Sequence, residues 1–201
     1  MNKWIYLSAV LFLSASASAK PLIINGGFED LGNNTVSGNW SYFPSLPGWR
    51  GVKNIEVQKD RFLANGYGNY YVELNAHARQ GHNNPFKLHS VPFTTIPGQT
   101  YELSFYAQKR RADDGSFSVM VDGFSQVINT HVTSGFTQFS YSFTGTGAST
   151  SLTFISGQGG NDTVGHFLDD VSLHAVPEPG ALGLLITGLL GIGLKRRTKA
   201  S

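Results

Sequence analysis

The chain contains no cysteine, and this absence removes two kinds of structure at once. Disulfide bonds cannot stabilise the fold, and metal sites built on thiolates cannot form. The Gly-x-Ser-x-Gly elbow of α/β hydrolases is also missing, and no spacing connects the serines, histidines and aspartates into a triad. These patterns favour a protein that is not an enzyme.

Positive charge is scarce once the two ends of the chain are set apart. Segments 1–19 and 176–201 hold five of the 15 Lys and Arg residues and one of the 13 acidic residues. Residues 20–175 therefore carry ten basic and twelve acidic side chains, a net charge near −2. The one basic cluster, Lys109-Arg110-Arg111, is followed by Asp113-Asp114. Nucleic-acid binding needs a basic stripe, so the sequence excludes nucleic acid as a partner.

Long apolar runs are also missing, and the short run at the N-terminus has another explanation. Ile5–Leu13 falls well below the roughly 20 residues that a membrane-spanning helix needs. It follows Lys3 and precedes the small-residue site Ala17-Ser18-Ala19. This order predicts a signal peptide over residues 1–19 and a mature chain that begins at Lys20.

The last 26 residues contain the most specific pattern in the sequence. Pro177-Glu178-Pro179 resists regular helix, an uncharged run follows over 180–194, and Lys195-Arg196-Arg197 comes next. As a helix the run is roughly 22 Å long, short against a bilayer core of about 30 Å, and the basic cluster stays on the cytoplasmic side. This order resembles the PEP-CTERM sorting tail of Gram-negative bacteria, over residues 176–201. The resemblance implies an exosortase partner, transient anchoring in the inner membrane, and final delivery to the cell surface or exopolysaccharide matrix.

The residue pattern of segment 20–175 predicts a single β-domain. Glycine and aromatic residues are plentiful, and turn signals such as Pro97-Gly98 and Asp122-Gly123 separate short stretches of alternating apolar and polar residues. No window carries a helical period. We predict nine or ten strands in an antiparallel jelly-roll β-sandwich. The clearest alternation lies in segments 70–75, 101–106, 117–122, 139–143, 152–154 and 167–173.

A second resemblance covers nearly all of this domain. Asn25-Gly26-Gly27-Phe28-Glu29 opens it and 167–173 closes it, with Pro47-Gly48-Trp49 and 95–105 between them. This set, in this order, resembles the galactose-binding-like β-sandwiches, in particular the DUF642-like and carbohydrate-binding-module 4/9-like group. The resemblance implies a β-sandwich with a polysaccharide ligand.

The same resemblance implies a structural calcium ion. In such modules the first and last strands lie side by side, and their carboxylates hold Ca²⁺. Here the corresponding ligands are Glu29 and Asp169, with Asp170 as the alternate if the register shifts by one residue. Alternation predicts that Asp169 shares a buried face with Phe167, Val171 and Leu173, which would require a neutralising partner. Hydrogen bonds from backbone amides to Asp169 are the alternative.

Aromatic residues near the start of the domain are the best candidates for a ligand site. Trp40, Tyr42 and Trp49 lie among Ser, Pro and Gly, without strand alternation. Aromatic rings can stack on sugar faces while polar groups bind hydroxyls. Trp49 follows Pro-Gly and is predicted to pack in the core. Trp40 and Tyr42 are candidate sugar-binding residues, with Glu73 and Arg79 as partners for hydroxyl groups.

Two carboxylates require a separate interpretation. Glu56 and Glu73 each have apolar neighbours, so both side chains point away from the face that those neighbours bury. If their strands pair, the carboxylates share one surface, as glycoside hydrolysis requires. Alternation on a half-buried sheet instead predicts two solvated carboxylates. The sequence thus predicts an exported, non-catalytic carbohydrate-binding protein. A structural matrix or adhesion protein and a polysaccharide hydrolase are the alternatives.

Overall fold

The computed structural model describes residues 21–74, 86–157 and 164–177, and these residues form twelve strands and no helix. The predicted all-β fold is confirmed, with more strands than expected because β5 and β10 have only two residues each. The predicted signal peptide and sorting helix lie outside the described residues. The strands are β1 Trp40–Leu46, β2 Trp49–Lys59, β3 Tyr70–Leu74, β4 Lys87–Ser90, β5 Phe93–Thr94, β6 Thr100–Lys109, β7 Phe117–Val121, β8 Phe124–Ile128, β9 Thr137–Thr144, β10 Ser149–Thr150, β11 Thr153–Ser156 and β12 His166–Ala175.

One long hydrogen-bonded path of antiparallel strands makes both layers of the sandwich. Its order is β8-β7-β11-β4-β2-β3-β12-β6-β9, with β1 also paired to β2, and β5 and β10 form a separate pair. Strand β2 changes layer partway along, because residues 49–51 pair with β4 and residues 56–59 pair with β3. Gly51 lies at this change, where a Cβ atom would come within 2.9 Å of the Asn54 carbonyl carbon. The first layer is therefore β8-β7-β11-β4, and the second is β3-β12-β6-β9.

The core lies between these layers and consists largely of aromatic rings. Phe105 of the second layer contacts Phe154 and Phe117 of the first, with ring centroids 5.2 and 6.2 Å apart. Trp49 is 1 % exposed and lies 5.2 Å from the ring of Phe28. Its Nε1–H donates to the Asn25 carbonyl at 2.9 Å, which satisfies the one polar atom of the indole. The prediction that Trp49 packs in the core is confirmed.

A β-bulge in β12 divides residues that the sequence assigned to one face. The pairing of β12 with β6 shifts between Asp169 and Ser172, and Asp170 has a φ of 47°. Val171 and Leu173 join the apolar core, whereas Asp169 pairs with Tyr106 on the opposite face. The prediction that Asp169 shares a face with Val171 and Leu173 is therefore wrong, because a bulge adds one residue and resets the alternation.

The compact unit that holds these strands spans Lys20–Val176. Within the described residues, no helix has the length and apolar character needed to cross a membrane.

Candidate functional site

Two rows of side chains cross β1, β2 and β3 on the outer face of the second layer. Tyr42 pairs with Glu56, and Glu56 pairs with Glu73. One pair further along, Trp40 opposes Gln58, which in turn opposes Tyr71. Residues directly opposite each other in antiparallel strands point to the same face. The sheet thus gathers aromatic rings and carboxylates from sequence segments about 30 residues apart.

The expectation that Trp40 and Tyr42 lie in an irregular loop is wrong, because both belong to β1. They are two residues apart and share a face, with ring centroids 5.0 Å apart at an interplanar angle of 63°. The Trp40 side chain is 43 % exposed. Strand β1 escaped detection because Pro44 and a register shift between Phe43 and Ser45 interrupt its alternation.

These rings border a cavity of about 120 Å³. The loop after β2 supplies two apolar rim residues, Phe62 and Leu63, and both are partly exposed. The phenol of Tyr71 accepts hydrogen bonds from the Leu63 and Ala64 amides at 3.2 and 3.1 Å, which fixes this loop over the sheet. The remaining lining residues are Trp40, Tyr42, Glu56, Gln58 and Arg110.

A hydrogen-bond network forms the polar side of the cavity. The Gln58 amide nitrogen donates to Glu56 Oε1 at 2.9 Å and also to Glu73 Oε2. The side-chain oxygen of Gln58 accepts a hydrogen bond from the Tyr71 hydroxyl at 3.3 Å, and this bond sets the orientation of the Gln58 amide. Arg110 Nη1 donates to both carboxylate oxygens of Glu73, each at 3.0 Å. Glu56 accepts a hydrogen bond from the Tyr42 hydroxyl.

Burial dominates the electrostatics of the two carboxyl groups. Glu73 is 0 % exposed, and burial raises its pKa to about 7, with a further contribution from the charge of Glu56. The Arg110 guanidinium and the Gly165 amide, which donates at 2.9 Å, oppose this rise. Burial also raises the pKa of Glu56, which is 4 % exposed. The expectation of solvated carboxylates is wrong, because loops cover this part of the outer face.

The geometry bears on hydrolysis as well. Glycosidases place the scissile bond between two carboxyl groups, one of which must reach the glycosidic oxygen or a water molecule. Here the Gln58 amide lies between Glu56 and Glu73, and Glu73 is enclosed by three hydrogen-bond donors. This arrangement disfavours an acid–base role for the pair.

The two candidate calcium ligands are surrounded by N–H donors. Glu29 accepts from the Asn69 and Tyr70 amides at 2.8 and 2.9 Å and from the Asn69 side chain at 2.8 Å. Asp169, fully buried, accepts from the Tyr67 and Asp170 amides at 2.6 and 2.7 Å. Burial raises the pKa of Asp169 to about 7. Within the described ranges, no group of three or more Asp, Glu, His or Cys residues is arranged to hold a metal.

The remaining candidates are unequally placed. Arg79, Glu178 and Pro179 lie outside the described residues. Pro177, the last residue that the structure describes, is exposed. Sequence reasoning missed Gln58 and considered Arg110 only as a member of the basic cluster Lys109-Arg110-Arg111. A signal for both was present, since each continues the outward-facing side of its strand next to a carboxylate or an aromatic residue.

Comparisons with known proteins found matches for two parts of the chain, the C-terminal tail and the β-domain before it. Residues 175–197 match the PEP-CTERM protein-sorting motif, so the protein carries this motif and is an exported protein with a C-terminal sorting tail. No curated protein matches the sequence.

The similar solved structures include a glycoside hydrolase and two carbohydrate-binding modules. An arabinose-bound GH51 α-L-arabinofuranosidase matches 77 % of this chain at 13 % identity with a TM-score of 0.50, and the match covers 26 % of that enzyme. A CBM4 module matches 77 % of this chain and 99 % of its own at 18 % identity and a TM-score of 0.48. The xylan-binding CBM22-1 domain of Paenibacillus barcinonensis Xyn10C matches 82 % of this chain and 100 % of its own at 12 % identity and a TM-score of 0.42. At these identities the likeness concerns the fold.

Proposed function

We propose that the protein is an exported, non-catalytic carbohydrate-binding protein of the cell surface or extracellular matrix. One observation carries this proposal: the exposed Trp40 and half-buried Tyr42 rings border a cavity whose other side presents Glu56, Gln58 and Arg110. A sugar offers an apolar face for stacking and a rim of hydroxyl groups for hydrogen bonds. This cavity supplies a partner for each, as small-ligand sites do.

The sorting motif bears on where the protein would bind carbohydrate. We propose that an exosortase-type enzyme recognises Pro177-Glu178-Pro179, that the apolar run 180–194 anchors the precursor transiently in the inner membrane, and that the mature domain stays at the surface. A polysaccharide of the surrounding matrix is then the ligand that the domain meets.

The proposal predicts polysaccharide binding that depends on Trp40. The full-length chain in mild detergent is run in native gels that contain a panel of soluble polysaccharides, and the retarded cases are followed by titration calorimetry. We expect Trp40→Ala to weaken binding about tenfold or more, because it removes roughly 1.5–3 kcal/mol of apolar contact. Met120→Ala is the matched control, since Met120 is equally exposed, at 44 %, on β7 in the other layer.

Retardation by no polysaccharide, together with retained self-association or attachment to cells, would instead identify a structural matrix or adhesion protein. Release of reducing sugar that disappears in Glu73→Gln would identify a hydrolase and contradict the non-catalytic role.

We also propose that Glu29 and Asp169 hold a structural Ca²⁺ ion. Support comes from the position of the two carboxylates. One loop contacts both of them, and burial together with the charge of Glu29 raises the pKa of Asp169, so keeping Asp169 ionised is costly without a compensating cation. Calcium takes six to eight oxygens, so loop carbonyls and water would have to complete the shell.

A ligand that binds only the folded state raises stability, so excess chelator should lower the melting temperature and added Ca²⁺ should restore it. Asp169→Asn should remove this difference, whereas Asp113→Asn, at an exposed position of the β6–β7 loop, should preserve it. A melting curve that chelator leaves unchanged would support the amide-bonded alternative.

A further inference from the structure

The cavity beside Trp40 contains more negative than positive charge. Glu56 receives hydrogen bonds from the Tyr42 hydroxyl and the Gln58 amide, both uncharged. Arg110 lines the cavity, and its Nη1 donates to Glu73, at 3.0 Å from each carboxylate oxygen. Two buried carboxylates therefore face one guanidinium.

Aromatic rings surround this excess charge. Trp40, Tyr42 and Phe62 line the cavity, and Trp40 and Phe62 keep exposed surface at its rim. The face of an aromatic ring attracts a cation within about 6 Å, most strongly for tryptophan. A volume of about 120 Å³ corresponds to roughly four water molecules. It accommodates an ammonium group with its adjacent carbon atoms, while the rest of a sugar ring lies on the exposed face of Trp40.

We propose that this cavity selects glycans bearing a protonated amino group, such as de-N-acetylated hexosamine residues. The inference rests on the proposed carbohydrate-binding function and names its ligand class. The ammonium group donates to Glu56 and packs against the rings of Trp40 and Phe62. N-acetylation removes the charge and adds volume, so it weakens binding twice over.

The energetics favour a cation over a hydroxyl at this position. A hydroxyl group donates a hydrogen bond to Glu56 but brings no charge, so the buried pair of carboxyl groups must still hold a proton to offset the second negative charge. An ammonium group supplies both the hydrogen bond and the compensating charge. The raised pKa of Glu56 is consistent with this account, because burial without a compensating cation makes the carboxyl group bind a proton more readily than usual.

The test compares two ligands that differ in acetylation alone. The full-length chain in mild detergent is titrated at pH 6 with a glucosamine tetramer and with the fully N-acetylated tetramer. We expect the amino form to bind at least tenfold more tightly. Glu56→Gln should bring the two affinities to within about twofold, since glutamine keeps the shape and removes the charge. Glu102→Gln, which neutralises a half-exposed carboxylate elsewhere on the same layer, should preserve the preference.

The rim provides a second variant in case Glu56→Gln does not fold. Phe62→Leu keeps an apolar side chain but removes the ring. It should reduce the preference for the amino form about threefold, as expected for one exposed cation–π contact.

Each remaining outcome is decisive. Equal affinity for the two tetramers, or a loss of preference in Glu102→Gln as large as in Glu56→Gln, would overturn the inference and leave the carbohydrate-binding function intact. Failure of both tetramers alongside Trp40-dependent binding of a neutral polysaccharide would also overturn the inference alone. Failure to bind any glycan would overturn the proposed function with it.

Discussion

His131 and His166 form a pair buried in the core beside Phe117, with 2.7 Å between His131 Nε2 and His166 Nδ1. The second nitrogen of His166 bonds the Ser116 carbonyl, so it must carry the proton. The Nδ1 atom of His166 is then an acceptor, and His131 donates to it through Nε2–H. Burial lowers the pKa of His131 to about 3 and that of His166 to about 4. Both imidazoles are therefore neutral in the folded protein.

This pair predicts a loss of stability in acid. Unfolded histidine, with a pKa near 6.5, binds protons that the buried pair does not, so stability is complete above that pH and falls as pH decreases towards 4. Each histidine contributes roughly 2 kcal/mol of loss between pH 6.5 and 5. Glu73 and Asp169 act in the opposite direction, because their raised pKa values make the folded state bind protons from about pH 7 downwards.

A variant separates the two opposing trends. His131→Gln should cost stability at pH 7. Because one titrating histidine is gone, the change in its urea unfolding free energy from pH 6.5 to 5 should be more favourable than the change in the wild type, by roughly 1.5 kcal/mol. Parallel curves for the two proteins would contradict neutral burial of His131. NMR chemical shifts of the imidazole ring protons, followed from pH 6.5 to 5, supply an independent check on the protonation of His131.

At the scale of elements, β12 organises the domain. Its first three residues pair with β3, and beyond the bulge the N-terminal segment takes the place of β3. There the Leu22 amide donates to the Leu173 carbonyl at 2.8 Å, and the Val171 amide donates to the Gly26 carbonyl at 2.9 Å. The opening and closing motifs that the sequence analysis singled out thus lie against each other.

Local alternation explains which strands the sequence predicts. Strands β6, β7 and β9 alternate because one face lies on the core and the other is more exposed. The outer face of β3 is also buried, by loops from distant parts of the chain, so the interior position of Glu73 leaves no trace in the local pattern. The bulge at Asp170 also could not be predicted, because the residue types around Asp170 do not indicate an extra residue in the strand.

The contact between Gly26 and β12 predicts a severe effect of one methyl group. A Cβ atom at Gly26 would lie 1.7 Å from the Val171 carbonyl oxygen, which is backbone and cannot move aside. Gly26→Ala should therefore lower the unfolding free energy by at least about 2 kcal/mol in urea denaturation. Gly115→Ala is the control, because no atom lies within 4 Å of the corresponding position. It should change stability by less than about 1 kcal/mol. Equal effects at the two positions would mean that the N-terminal segment does not pack on β12 as described.

For the whole molecule, the sequence predicts the sorting motif and the fold more completely than the candidate ligand site. The sorting motif is one contiguous segment, residues 175–197, so it can be recognised from the sequence alone. The candidate site assembles Trp40, Gln58, Glu73 and Arg110 from four strands or strand ends, and only the sheet register unites them. Trp40, Tyr42 and Glu73 were predictable as residue types suited to sugars. Their shared cavity was not, because it depends on strand pairing and on the loop that covers it.

The end of β12 predicts how tail removal affects the domain. The Val176 amide donates to the Thr100 carbonyl at 2.8 Å, and the Gln99 side chain donates to the Val176 carbonyl at 2.7 Å. Cleavage at Pro177-Glu178-Pro179 leaves both bonds in place, so material released at the surface should lack Lys195-Arg196-Arg197 by intact mass and melt at the temperature of the uncleaved chain. A chain that ends at His174 loses both bonds and the last strand pair, and should melt about 5 °C lower or more. Surface material that retains the basic cluster would contradict the proposed processing. A released domain that melts as low as the shorter chain would show that the fold depends on residues beyond Val176.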